Sequence, residues 1–259
     1  MGKAVVNGSG TKRVLLWILA TVVALSLVAT SVFFGWALTP HRAETEPLRR
    51  AQENPDVEVV RGEDRILLAP TGEPSGTGVV FYPGARVEHD AYVATWAPIV
   101  AATGVTVVVP DMRLNLALFD QDRAEDVVTE LPEVDTWYLG GHSMGGAFAA
   151  QHVGTGDTDV DWAGLVLWAS YAVEAADLAD RDDLRVLSVA GDRDGVLPLT
   201  EIAERRSSLP ADTVTVTVEG MNHAQFGAYG AQAGDEEPGV GEEEAHERLA
   251  EATSPFLTP

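Results

Sequence analysis

Gly141-His142-Ser143-Met144-Gly145 is a G-x-S-x-G element, and its neighbours give the serine the setting of a nucleophile. Residues 136–139 (TWYL) are aromatic and apolar and predict a buried strand, whereas residues 146–153 (GAFAAQHV) predict a helix. A serine on a sharp strand-to-helix turn is exposed at a sheet edge, and flanking glycines avoid collisions with the adjoining strand and helix. The competing reading is a glycine-rich loop whose serine only caps the helix. A serine hydroxyl attacks an acyl carbon only when a base takes its proton, so the next requirement is a histidine.

The chain has six, at 41, 89, 142, 152, 223 and 246. His41 lies in a polar segment, His152 on the predicted helix and His246 among acids near the C-terminus; His142 is expected to point away from the turn. His223 sits in Gly220-Met221-Asn222-His223-Ala224, just after the last predicted strand. In a parallel sheet that loop shares an edge with the serine. The base needs a carboxylate to fix its tautomer, and Gly191-Asp192-Arg193-Asp194-Gly195-Val196 follows another predicted strand at the same edge. Only one of its aspartates can reach His223. The G-x-x-D-x-V spacing puts that acid at Asp194, once the chain has cleared the strand, and leaves Asp192 to cap backbone amides of the turn. A tetrahedral intermediate also needs two amides aimed at its oxyanion. Met144 follows the nucleophile and supplies one; Ala85, beside the permissive Gly84, is the candidate for the other.

The elements that must carry these residues alternate along the chain. Residues 57–61 and 65–69 read as a hairpin; 78–82, 105–109, 164–169 and 186–190 as apolar strands; and 213–218, alternating with period two, as a half-exposed edge strand. Helical spacing covers residues 91–102, 124–131, 200–209 and 242–253. Continuous apolar strands separated by helices predict a mostly parallel sheet covered by helices on both faces. The connection from residue 170 to 184 is too short for a cap domain. The acids among residues 235–247 read as a solvated loop and helix start.

Forty acidic residues against 17 basic ones give a net charge of −23, a field that repels nucleic acid and argues against a nucleic-acid partner. With no cysteine in the chain, disulfides, thiolate nucleophiles and cysteine-ligated zinc are excluded. No metal or organic cofactor is required by the serine chemistry. Residues 14–38 carry no charge, which is long enough to span a hydrocarbon core of roughly 30 Å. The run exceeds the apolar region of a cleavable signal, Trp17 and Trp36 lie near its ends, and Lys3, Lys12 and Arg13 precede it. These features predict an uncleaved signal anchor with the bulk of the chain outside. The expected organisation is a short cytoplasmic segment (1–13), a transmembrane helix (14–38), a linker (39–56) and a catalytic domain (57–259).

The blocks FYPGARVEHDAY, MRLNLALF, WYLGGHSMGGAFAA, GLVLWASY, GDRDGV and EGMNHAQFGAYGAQAGD resemble those of the bacterial alpha/beta hydrolase fold-5 family, near the dienelactone hydrolases. The order serine, aspartate, histidine is that of α/β-hydrolases. The resemblance implies an α/β-hydrolase fold, in many members with an N-terminal membrane segment, and a triad of Ser143, Asp194 and His223. With the short 170–184 connection and the uncharged run at 14–38, the expected fold is an α/β-hydrolase without a cap domain, preceded by one transmembrane helix. Where the family has a second glycine in YPGG, this chain has Ala85. The expected function is a membrane-anchored serine hydrolase acting on a small-molecule ester or related acyl bond. The alternatives are a thioesterase or lactonase using the same residues, or an inactive binding module at the cell surface.

Overall fold

The computed structural model describes residues 8–155 and 158–258. It divides into two units, residues 1–39 and 40–259. The first holds α1 (Gly8–Ala37); the start of the expected cytoplasmic segment, residues 1–7, lies outside the described residues. Within α1, Lys12–Ala37 has a mean hydropathy of 2.3 over its most apolar stretch. Its 26 residues rise about 39 Å, enough to cross a membrane by length and composition.

In the second unit, α2 (Thr45–Gln52) is followed by β1 (Val57–Arg61), β2 (Arg65–Pro70), β3 (Thr77–Tyr82), α3 (Val93–Thr103), β4 (Thr106–Pro110), α4 (Arg123–Glu130), β5 (Thr136–His142) and α5 (Met144–Thr155). Then come β6 (Trp162–Trp168), β7 (Arg185–Gly191), α6 (Leu199–Glu204), β8 (Val214–Val218) and α7 (Glu242–Leu257). The eight strands form one sheet in the order β1-β2-β4-β3-β5-β6-β7-β8. β1 and β2 pair antiparallel, as do β2 and β4; the remaining neighbours are parallel.

Period-two alternation explains the continuous apolar strands, because each strand feeds two cores. Val79, Phe81, Tyr138, Val166 and Trp168 face α3 and α7, while Val80, Tyr82, Leu139, Leu165 and Leu167 face α4 and α5. On the first face Trp96 of α3 stacks on Trp168 of β6, with ring centroids 4.6 Å apart, and Phe81 lies edge-on to Trp96 at 5.1 Å. The aromatic cluster fixes α3 over the centre of the sheet.

The segment read as a linker is instead part of the domain. Three prolines and a polar composition suggested a tether, yet α2 buries Pro47 and Ala51, and His41 bridges Val87 in parallel. The Glu44 amide also donates to the Ala228 carbonyl at 2.7 Å. Between β6 and β7 the chain makes a single 3-10 turn (Glu174–Ala176) and buries Ala172, Ala176 and Leu178 in the α5 core. That connection is too short, and too committed to the core, to be a lid.

Candidate active site

Since β3 to β8 run parallel, the loops after β3, β5, β7 and β8 meet at one carboxyl edge. β3 and β5 are neighbours, and the chain leaves them in opposite directions, to β4 and to β6. That divergence opens a crevice where open α/β sheets bind ligands. Ser143 stands there, between β5 and α5, with φ of 52°. Holding a non-glycine residue in the left-handed region costs about 1–3 kcal/mol, so the surroundings must enforce it. The Ser143 amide donates to the Trp168 carbonyl at 3.0 Å, and its own carbonyl accepts from Ala147 N–H at 3.2 Å and from the Ser170 hydroxyl at 2.7 Å. The flanking glycines allow the turn. A Cβ on Gly141 would come within 2.5 Å of the Gly145 carbonyl carbon, and one on Gly145 would strike the Tyr82 and Pro83 carbonyl oxygens.

Met144 opens α5, where the first amides lack helical partners and the helix dipole is positive. Across from it, the loop after β3 forms a turn closed by Val87 N–H to the Gly84 carbonyl at 3.1 Å, with Arg86 left-handed at φ 59°. Ala85 occupies the second position of this turn, and its amide takes no part in closing it. The turn is held from behind: Gly84 N–H donates to the Tyr92 hydroxyl at 2.8 Å, and that hydroxyl lies 2.9 Å from His142 Nδ1. The Tyr92 hydroxyl thereby joins the Gly84 amide to the His142 imidazole. Burial first, and then the neighbouring His223, hold His142 well below the usual imidazole pKa.

His223 and Asp194 form a buried pair. His223 Nδ1 and Asp194 Oδ2 are 2.7 Å apart, and the residues are 1 % and 5 % exposed. The other Asp194 oxygen accepts from Val196 N–H at 2.9 Å and Leu197 N–H at 2.6 Å, so the carboxylate is locked into its own loop. Of the two aspartates after β7, Asp194 is the one whose carboxylate meets the imidazole. Asp192 Oδ1 accepts from Gly220 N–H at 2.5 Å and ties the root of the β7 loop to that of the β8 loop. The His223 loop is further stiffened by reciprocal bonds between Asn222 and Gln225, with Asn222 Nδ2 reaching the Glu236 carbonyl at 2.7 Å.

Three participants escaped sequence reasoning. His142 does not point away: its ring centroid lies 4.5 Å from that of His223 and its plane stacks on Phe226. The last pleat of β5 turns it toward α3, whereas the glycines at 140 and 141 leave no apolar neighbour in the sequence to mark that face. Tyr92 merged with the apolar pattern of its helix. Asp235, read as one acid of a solvated run, accepts hydrogen bonds from the amides of Gly195, His223 and Ala224. It closes the block NHAQFGAYGAQAGD, and an acid fixed at the end of a loop motif was the available signal.

A signature described as Alpha/beta hydrolase family matches residues 78–247. No curated protein matches the chain by sequence. Among solved structures, the esterase domain of a Rhodothermus marinus protein is similar at 11 % identity and a TM-score of 0.57, covering 77 % of this chain and 97 % of that one. Carboxyl esterase 2 of Tuber melanosporum is similar at 12 % identity and a TM-score of 0.58, covering 84 % and 90 %. A Pyrobaculum calidifontis esterase is similar at 14 % identity and a TM-score of 0.55, covering 89 % and 93 %. These identities speak to the fold alone. The signature spans well over half of the sequence, and the chain belongs to the alpha/beta hydrolase family.

Proposed function

We infer that this chain is a membrane-anchored serine hydrolase that cleaves a carboxylic ester or related acyl bond by way of an acyl-enzyme. One observation carries the reading: a left-handed Ser143 at the β5–α5 turn shares a sheet edge with a buried His223–Asp194 pair 2.7 Å apart. Asp194 occupies Nδ1 and keeps the ring in the tautomer whose Nε2 takes a proton. In the first step Ser143 Oγ bonds to the acyl carbon as His223 Nε2 removes its proton. The carbonyl oxygen becomes an oxyanion held by the amides of Met144 and Ala85, and the leaving alcohol departs with the proton from His223. Water then attacks the acyl-enzyme with the same base, and Ser143 is released. Each oxyanion donor in such a site is worth about 10²–10³ in kcat. The similar solved structures described as esterases favour an ester over a thioester or lactone.

With no lid between β6 and β7, the site takes small, neutral esters without interfacial activation. Glu44, Asp235, Glu236 and Glu237 are among the residues lining a cavity of about 360 Å³ beside the His223 loop, and their field disfavours anionic substrates. We place the domain outside the cytoplasm, supported by the uncharged run of residues 14–38 within the long apolar helix and by Lys3, Lys12 and Arg13 before it. Turnover of p-nitrophenyl acetate by the full chain in detergent tests the reading. Parent activity lost in Ser143→Ala, apart from a small oxyanion-hole residue, supports it; equal rates in both proteins overturn it.

A further inference from the structure

His223 and Asp194 are 29 residues apart and ride on two separate loops, yet their side chains must stay in register to a fraction of an ångström. Asp192 joins the loops at their roots through Gly220. Nothing in that bond fixes the loop tips, where the imidazole and the carboxylate meet. A third carboxylate does. Asp235 Oδ1 accepts from Gly195 N–H at 3.0 Å, from His223 N–H at 3.2 Å and from its neighbour Glu236 N–H at 2.9 Å; Oδ2 accepts from Ala224 N–H at 2.9 Å. One side chain thereby holds the amide that follows the acid and the two amides at the base. The loops are in direct contact as well: a Cβ on Gly195 would come within 2.7 Å of Glu236 N and 2.8 Å of Gly234 O.

We propose that Asp235 is a positioning residue for the His223–Asp194 pair, a carboxylate clamp that sets the separation of the two loops and with it the 2.7 Å contact between the side chains. Asp194 acts on the imidazole, Asp235 on the backbone that carries it. The division of labour is chemical: a carboxylate is an acceptor only, and both of its oxygens receive amides here, three on Oδ1 and one on Oδ2. Amides bonded to a carboxylate make stronger bonds than neutral pairs, which suits a clamp that must not slip during proton transfer. Asp235 touches no reacting atom, and its role rests on the hydrolase reading above.

The test compares Asp235→Ala and Asp235→Asn in the full chain in detergent, with p-nitrophenyl acetate turnover, thermal melting and the downfield NMR signal of the His223 Nδ1 proton as readouts. Alanine removes all four acceptor contacts. Displacing the base by the order of 1 Å lowers kcat about 10²-fold, with KM within about threefold because the clamp does not touch substrate. Asparagine retains an oxygen for the three amides on Oδ1 and loses the bond to Ala224, so kcat recovers to within about tenfold of the parent but stays measurably below it. The Nδ1 proton signal broadens or vanishes in the alanine variant and persists in the asparagine one. A folded Asp235→Ala protein with kcat within about threefold of the parent, or a loss carried by KM, overturns the clamp. If the alanine variant does not fold, unchanged kcat in Asp235→Asn overturns it. If the parent itself shows no turnover, the hydrolase reading fails instead, and the Nδ1 proton still decides the clamp: an unaltered signal in both variants refutes it.

Discussion

Replacing Tyr92 by phenylalanine removes one oxygen atom and should disable the loop that carries Ala85. The hydroxyl accepts from the buried Gly84 amide at 2.8 Å and is hydrogen-bonded to the buried His142 Nδ1 at 2.9 Å. Without it, two buried polar groups lose their partner together. An orphaned buried group costs about 1–3 kcal/mol, so losing the partner of two should lower unfolding stability by about 2–6 kcal/mol in Tyr92→Phe. The catalytic effect is a separate expectation. Gly84 immediately precedes Ala85, and freeing its peptide lets the oxyanion amide drift rather than deleting it. A full deletion costs about 10²–10³ in kcat; a drift should cost about 10–10². KM should hardly change, because the oxyanion exists only beyond the ground state. Urea denaturation and p-nitrophenyl acetate kinetics on the full chain read the two effects independently. A Tyr92→Phe protein within about 0.5 kcal/mol and threefold in kcat of the parent would refute the hydrogen-bond relay from Gly84 through Tyr92 to His142.

Asp194→Asn should lower kcat by about 10⁴, the scale seen when the corresponding aspartate of a serine protease is replaced by asparagine, whereas Asp192→Ala should cost about 1–2 kcal/mol of stability through Gly220 and little rate. The reverse ranking would exchange their roles. A chain truncated to begin at Pro40 should be soluble and active, and one beginning at Arg49 should be less stable, since it cuts through α2 (Thr45–Gln52) and removes buried Pro47; the full chain should resist carbonate extraction from membranes. His246 contributes an acid-side loss of stability. Burial first, and then the charge of Arg50, lower its pKa from 6.5 to about 4, against an opposing bond to the Gln225 backbone. Between those values the unfolded chain binds a proton that the native state does not. Stability is therefore complete above 6.5 and is lost as pH falls toward 4, by about 3 kcal/mol from this group. Burial and then Glu44 raise Glu242 to about 7, which acts in the opposite sense over part of the window, so the measurement is the difference between the parent and His246→Gln. A parent-minus-variant stability difference that does not fall as pH drops from 6.5 toward 4 would contradict the prediction.

Much of this architecture is written in local patterns. The strands that became β3, β5, β6 and β7 are continuous apolar runs because both of their faces are covered, and β8 alternates because it is the edge. The serine turn is legible because its glycines answer a steric demand within a few residues. What escaped depends on contacts between distant segments. Asp235 serves amides 11, 12 and 40 positions away, and a lone acid in an acidic run looks solvated until those amides are brought to it. The α2 segment looks like a tether because it buries only Pro47 and Ala51. His142 follows Gly140 and Gly141 and precedes Ser143, and nothing in that setting shows which face its pleat will take.

The central claim is that Ser143 is a nucleophile activated by His223. A fluorophosphonate probe reacts covalently with such a serine without requiring the natural substrate, and mass spectrometry locates the adduct. The account predicts a single adduct on Ser143 in the full chain, none there in Ser143→Ala, and slower labelling in His223→Ala. A folded protein that takes no label, or takes it on another residue, would contradict it.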